Sequence, residues 1–195
     1  MTPDEGQALL ASIVELGRAV FGAKACSIMA HDVAADELVF AAVAGEGAGT
    51  LVGRRLPART GLAGWVLASE ESIAIEDVVS DPRFARDVAQ STGYVPTALA
   101  VFPLLHDERV LGVFSVLDRS SSAPVGLADL EVMGRFAGHA AQALAAVQAA
   151  SAGLGGDDAL GRLRTRLERA DPARRAAATA LIDALDDLLQ GTSRG

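Results

Sequence analysis

The residues able to do chemistry are few and scattered. Cys26 is the only cysteine of the 195-residue chain, so no intrachain disulfide and no cysteine-built zinc site can form. A lone cysteine in an apolar segment reads as a small core residue in preference to a nucleophile or redox centre. The three histidines, His31, His106 and His139, show no metal-ligand spacing. His31 and His106 read as turn residues, and His139 as a helix residue near an interface in preference to a haem ligand. Glu76, Asp77 and Asp81 cluster in a short span and could hold a cation or do acid–base work. No nucleophile or oriented base accompanies them, so the preferred reading is that Asp81 caps a turn and Asp77 accepts from nearby backbone or a polar ligand. The loop Gly45-Glu-Gly-Ala-Gly-Thr50 invites comparison with a phosphate loop. It lacks the closing Lys-Ser/Thr, and Thr50 replaces the third glycine of a dinucleotide fingerprint, so it reads as a connection.

The elements that must position these residues are clearer. Thr2-Pro3-Asp4-Glu5 is a capping box that opens a helix carrying Leu9, Leu10, Ile13, Val14, Leu16, Gly17, Val20 and Phe21, stopped by Gly22. That apolar stripe is wide enough for one side to cover a sheet and the other to meet a partner. Ala25–Ala30 and Leu38–Ala44 read as two strands, with Ser27 and Met29 on one face of the first and Cys26 and Ile28 on the other. Gly61–Ala68 reads as a short helix capped by Thr60, Ser72–Asp77 as a strand, and Asp81-Pro82 as the start of another helix that Gly93 stops. Thr97–Leu105 and Arg109–Arg119 form a hairpin around His106-Asp107-Glu108. Both of its strands are apolar on both faces, as expected of central strands covered on each side. Ser115 interrupts the second, and could face a ligand or bond to neighbouring backbone. After a loop over Ser120–Pro124, a long helix runs over Leu127–Ala150, rich in Ala with Gly134 and Gly138.

Length accommodates one domain of about 150 residues with an appendage. Half the residues are hydrophobic but only 4% are aromatic, so the core buries little area per residue and dimerisation would add burial. Before residue 151 there are 18 Asp+Glu against 10 Lys+Arg, and after it 7 of each, so the whole excess of the net charge of −8 lies in the main domain. That balance disfavours nucleic-acid and anionic-membrane partners. No apolar stretch reaches the ~20 residues of a bilayer span, and the N-terminus lacks the basic and apolar regions of a signal peptide. The expectation is a cytoplasmic protein. Ser151–Gly156 reads as a flexible linker. The 157–195 tail reads as two helices, one capped at Asp157 or Asp158 and one at Asp171-Pro172, with Arg162, Arg164, Arg166 and Arg169 on a solvated face.

Gly61-Leu62-Ala63-Gly64-Trp65-Val66, Ile75-Glu76-Asp77, Asp81-Pro82-Arg83-Phe84, Thr92-Gly93-Tyr94, Pro103-Leu104 and Leu111-Gly112-Val113-Phe114-Ser115-Val116 occur in an order that resembles the GAF domain family of small-molecule-sensing signalling domains. The resemblance covers roughly the first three-quarters of the chain. It implies an α+β, PAS-related fold. A central antiparallel sheet would carry N- and C-terminal helices on one face and a helix-and-loop lid, Gly61–Tyr94, over a pocket on the other. Residues 1–150 would be the sensory domain, 151–156 the linker and 157–195 the helical tail. The family's methionine sulfoxide reductases use several cysteines, some of its members attach linear tetrapyrroles through a cysteine, and its cyclic-nucleotide binders carry an Asn-Lys-Phe-Asp-Glu type motif. This chain has one cysteine, none in the lid, and Asp118-Arg119-Ser-Ser-Ser where the motif would stand.

The expected function is therefore a non-enzymatic sensory or regulatory domain. It would bind an unidentified small molecule, with no cofactor or metal identified, and signal as a homodimer through its terminal helices to a protein output partner. A ligand-free dimerisation scaffold, its cavity filled by Trp65, Phe84 and Tyr94, is the alternative, and a GAF-fold enzyme the third. The candidate pocket residues are Ser27, Trp65, Asp77, Phe84, Tyr94 and Ser115.

Overall fold

The computed structural model describes residues 1–120 and 125–168, with 153–168 described as backbone helix alone. The chain begins with helix α1 (Pro3–Phe21), and its start is the capping box the sequence predicts. The Thr2 hydroxyl accepts from the Glu5 amide at 3.2 Å, and the Thr2 amide donates back to the Glu5 carboxylate at 2.7 Å. Gly22 ends the helix in a left-handed conformation, φ +57°, that glycine adopts without Cβ strain. Only Gly6, Leu10, Val14 and Gly17 of α1 are buried, while Leu16 and Val20 stay more than half exposed.

Strands β1 (Ala23–Asp32) and β2 (Glu37–Gly45) form a hairpin, and the loop after them folds a single turn of helix, α2 (Ala48–Leu51). A short strand not anticipated from sequence, β3 (Arg55–Pro57), pairs with the start of β2. Helix α3 (Gly61–Ser69), strand β4 (Ile73–Ile75) and helix α4 (Arg86–Ser91) follow, then strands β5 (Leu99–His106) and β6 (Arg109–Arg119), and helix α5 (Leu127–Glu168). The six strands form one antiparallel sheet in the order β3-β2-β1-β6-β5-β4. β1 and β6 are central, which accounts for their apolar residues on both faces. Asp107 and Glu108 turn the β5–β6 hairpin with φ of +46° and +59°, the left-handed pair that matches strand twist in a two-residue turn.

Strand alternation divides the core. On one face Cys26, Ile28, Phe102 and Phe114 pack with Leu10 and Val14 of α1 and Met133, Ala137, Ala141 and Leu144 of α5. A Cβ on Gly6 would meet Val147, and one on Gly17 would meet Phe114 and Phe136, so α1 and the 127–150 part of α5 lie close and antiparallel. On the other face Met29, Phe40, Val101 and Val113 pack with Leu51 and Val66. Helices on one face and a cover on the other is the expected layering.

Several local expectations shift. Thr60 stands at the α3 N-cap, but its hydroxyl makes no capping bond. Asp81-Pro82 does not open a helix: Asp81 accepts from the Arg83 amide at 2.9 Å, closing a turn, and α4 begins only at Arg86. His31 and His106 lie in strands instead of turns. The helix continues through 151–156, where composition predicts a flexible linker, with no recapping at Asp157 or Asp158. Glycine weakens a helix but, unlike proline, keeps the amide that propagates it. The second tail helix and residues 121–124 of the Ser120–Pro124 loop lie outside the described residues. By internal contacts the chain separates at residue 150 into units Met1–Ala150 and Ser151–Gly195. Among the described residues no helix is long and apolar enough to cross a membrane.

Candidate functional site

A cavity of about 140 Å³ lies between the sheet and its cover. Its floor is the face of β1, β2, β5 and β6 opposite α1 and α5, with Leu56 of β3 also lining it. Its walls come from the start of α3 (Thr60–Ala63), the Phe84–Ala89 stretch, Thr92, Tyr94 and Pro96, with Glu46 and Leu51 at the α2 side. Most of the lining is apolar. Ser27 and Ser115 are the two buried polar residues of the described chain, 7% and 6% exposed, and both line the floor. They are direct partners across β1 and β6, because the register pairs Ser27 with Ser115 as it pairs Cys26 with Val116.

Contacts between residues distant in the chain hold the cover down. Tyr94 donates its hydroxyl to the Asp118 carboxylate. The other Asp118 oxygen accepts from the amides of Thr97 and Ala98 at 2.9 and 2.8 Å. Burial, then the bonded carboxylate, pushes the Tyr94 phenol well above its ordinary range, so it remains a donor. Arg54 donates to the Ser91 carbonyl at 3.1 Å and to its hydroxyl at 2.6 Å, clamping the end of α4. Arg83, whose guanidinium holds the Asp81 carboxyl below the usual carboxylate range, lies 4.6 Å from the Trp65 ring centre.

Of the six candidate residues, Ser27, Phe84, Tyr94 and Ser115 line the cavity. Two do not, and need correcting. Trp65 packs instead with the Met29, Val66 and Val113 cluster and under Arg83, because only the first turn of α3 borders the cavity. Asp77 is exposed and accepts from the Ser80 hydroxyl at 2.7 Å within its own turn. The acidic cluster is divided in the same way: Glu76 accepts from the Val125 amide at 3.1 Å, and Asp81 is taken by Arg83. Sequence reasoning passed over Asp118 and Arg54 as anchors. The signal for Asp118 was present, a carboxylate closing an otherwise apolar strand; for Arg54 there was none.

Cys26 is fully buried on the helix side of β1, and burial pushes its thiol up to about 12. A thiol held that high carries little thiolate at neutral pH, which argues against a nucleophilic role. The unfolded chain releases this proton near the ordinary thiol value, about 8.5, while the folded chain keeps it. Folding stability from this group is intact below that pH and lost as pH rises toward about 12. Urea titrations at pH 8, 9 and 10 should show wild-type stability falling more steeply than that of Cys26→Ala, by up to about 1.4 kcal/mol per unit. The raised Tyr94 phenol adds a slope of the same sign above its own ordinary range in both proteins.

A family model for the GAF domain matches residues 5–144. Among solved structures, the GAF domain of a phosphoenolpyruvate-protein phosphotransferase (ptsP) from Coxiella burnetii is similar at TM-score 0.67 and 23% identity, over 75% of this chain and 86% of that one. The GAF-B domain of DevS from Mycobacterium smegmatis is similar at TM-score 0.56 and 23% identity, over 77% and 96%. A free methionine-R-sulfoxide reductase from Neisseria meningitidis, solved with its substrate, is similar at TM-score 0.56 and 22% identity, over 76% and 81%. At these identities the likeness is one of fold.

Proposed function

Because this chain belongs to the GAF domain family, a family commonly sensory or regulatory, we propose that it is a non-enzymatic sensor. It binds a small molecule in the cavity under the 61–94 cover and passes occupancy to its terminal helices in a homodimer. The observation that carries this reading is the position of the cavity floor. Ser27 and Ser115 line the cavity, while their strand neighbours Ile28, Phe114 and Val116 pack in the layer of α1 and α5, and Cys26 borders both. Two central strands thus separate the ligand from the helices by one sheet thickness. Ligand binding orders the cover, shifts the sheet and biases α1 against α5. This requires different affinities for two helix arrangements, since a ligand that binds both equally moves nothing.

The reductase likeness does not carry over as an activity: Cys26 borders the cavity, but it is fully buried within the helix-side cluster and the chain has no second cysteine to work with it. The scaffold reading draws on the exposed Leu16 and Val20 of α1. An open cavity with Trp65 outside it weighs against a scaffold whose aromatic residues fill that space. Native mass spectrometry of freshly purified protein tests both. A dimer carrying a stoichiometric small molecule is expected, and the released ligand, added back at saturation, should slow hydrogen exchange across 61–94. An empty dimer favours the scaffold, a monomer removes the helix interface both readings need, and unchanged exchange at saturating ligand sinks the relay.

A further inference from the structure

We propose that the cavity takes an uncharged, single-ring molecule bearing a carbonyl-type acceptor, and turns away anions. This assignment rests on the small-molecule reading above and names the chemistry of the ligand. Size sets the first limit. The cavity of about 140 Å³ is close to the ~150 Å³ that accepts benzene. One ring and a short substituent fit; a nucleotide or a tetrapyrrole does not.

Hydrogen-bonding capacity sets the second. With no capping bond from Thr60, the amides of Gly61, Leu62 and Ala63 find no acceptor among the described residues, and all three residues line the cavity. Ser27 and Ser115, residues more than nine-tenths buried, line the floor, and no side-chain hydrogen bond of either is found among the described residues. Buried polar groups are rarely left unmatched. Three N–H donors at the start of a nine-residue helix and two floor hydroxyls line the same cavity, and together they call for an acceptor on the ligand.

Charge sets the third. No lysine, arginine or histidine is among the described residues that line the cavity, and Glu46 is the one carboxylate there. An anion would give up its hydration for a helix end that offers only a fraction of a unit charge, with Glu46 repelling it. A neutral carbonyl keeps the helix-end bonds without that desolvation cost.

Benzamide, benzoate and toluene share one ring and differ in the property at issue. Each is titrated into the full chain, followed by backbone amide NMR. Benzamide should bind at least tenfold more tightly than benzoate and should move the Gly61, Leu62 and Ala63 amide signals downfield, as accepted hydrogen bonds do. The double variant Ser27→Ala, Ser115→Ala should weaken benzamide severalfold and leave toluene unchanged, which also certifies that the variant keeps its cavity. Benzoate equal to benzamide overturns the assignment. So does toluene equal to benzamide, with no effect of the serines. In either case bound toluene leaves the cavity reading standing, whereas failure of all three rings to bind overturns both.

Discussion

Phe114→Ala is expected to cost this domain about 3–5 kcal/mol, the range for emptying a buried phenylalanine site. Phe114 has no exposed surface, and its ring centre lies 5.2 Å from Phe136 and 6.5 Å from Phe21. Phe21 and Phe136 meet edge to face at 5.3 Å, so rings from α1, β6 and α5 form one cluster. The hole cannot close by a simple side-chain swing. α1 is already seated at Gly17, where an added Cβ would come within 3.0 Å of the Phe114 ring, and the 127–150 part of α5 is pinned by Met133, Ala137 and Ala141. At ~2–4 °C per kcal/mol for a chain of this size, the midpoint should fall by roughly 6–20 °C. Val33→Ala, at a 68% exposed position in the β1–β2 turn, serves as the comparison and should move stability by no more than about 0.5 kcal/mol. A Phe114→Ala loss as small as that of Val33→Ala would mean that α1, β6 and α5 are not packed as described. In the proposed relay the position has a second role, since Phe114 is the chain neighbour of Ser115 and stands on the opposite face of the same strand.

Gly64→Val should displace the cover. In the first turns of α3 the chain passes so close to the preceding segment that a Cβ on Gly64 would lie 2.4 Å from the Arg59 carbonyl carbon and 2.6 Å from the Ala58 oxygen. Both neighbours are backbone, so no rotamer change relieves the overlap. Either α3 moves off β5 and β6 or the 58–60 turn breaks, taking Leu62 and Val66 out of the core. Overpacking of this kind costs about 3 kcal/mol or more. Because Gly61–Ala63 border the cavity, hydrogen exchange over 61–94 should rise before the α1 and α5 layer is affected. Gly138→Ala gives the contrast: its Cβ meets nothing within 4 Å in the 127–150 part of α5. By removing glycine from a helix interior it should stabilise the isolated domain by about 0.5–1 kcal/mol. Wild-type exchange in Gly64→Val would show that the α3 start does not bear on the 58–59 backbone.

The sequence by itself determined which side of each strand a residue occupies. Period-two alternation places Ser27 and Met29 opposite Cys26 and Ile28, and the same rule places Ser115 opposite Phe114, so two floor residues and the burial of the cysteine were legible without coordinates. Local hydrogen-bond chemistry likewise determined the ends of α1, because the Thr2–Glu5 capping box and the left-handed Gly22 need only their immediate neighbours. The cover was legible as a helix, a strand and a helix, and not as a surface. Which face of α3 meets the cavity depends on where the 58–60 turn aims it, and that excluded Trp65 while admitting Gly61, Leu62 and Ala63. Asp81 was legible as a turn cap, whereas Asp77, read as an acceptor for backbone or a ligand, accepts from the Ser80 hydroxyl within its own turn. The anchors that close the cover, Arg54 on Ser91 and Asp118 on Tyr94, join residues far apart in the chain. No local pattern encodes such pairs, because they exist only once the segment entering β3, strand β6 and the cover have been brought together by burial of both faces of the sheet. The cavity belongs to the same class: it is space left between elements whose own patterns are satisfied, and only their packing in three dimensions decides that it stays open.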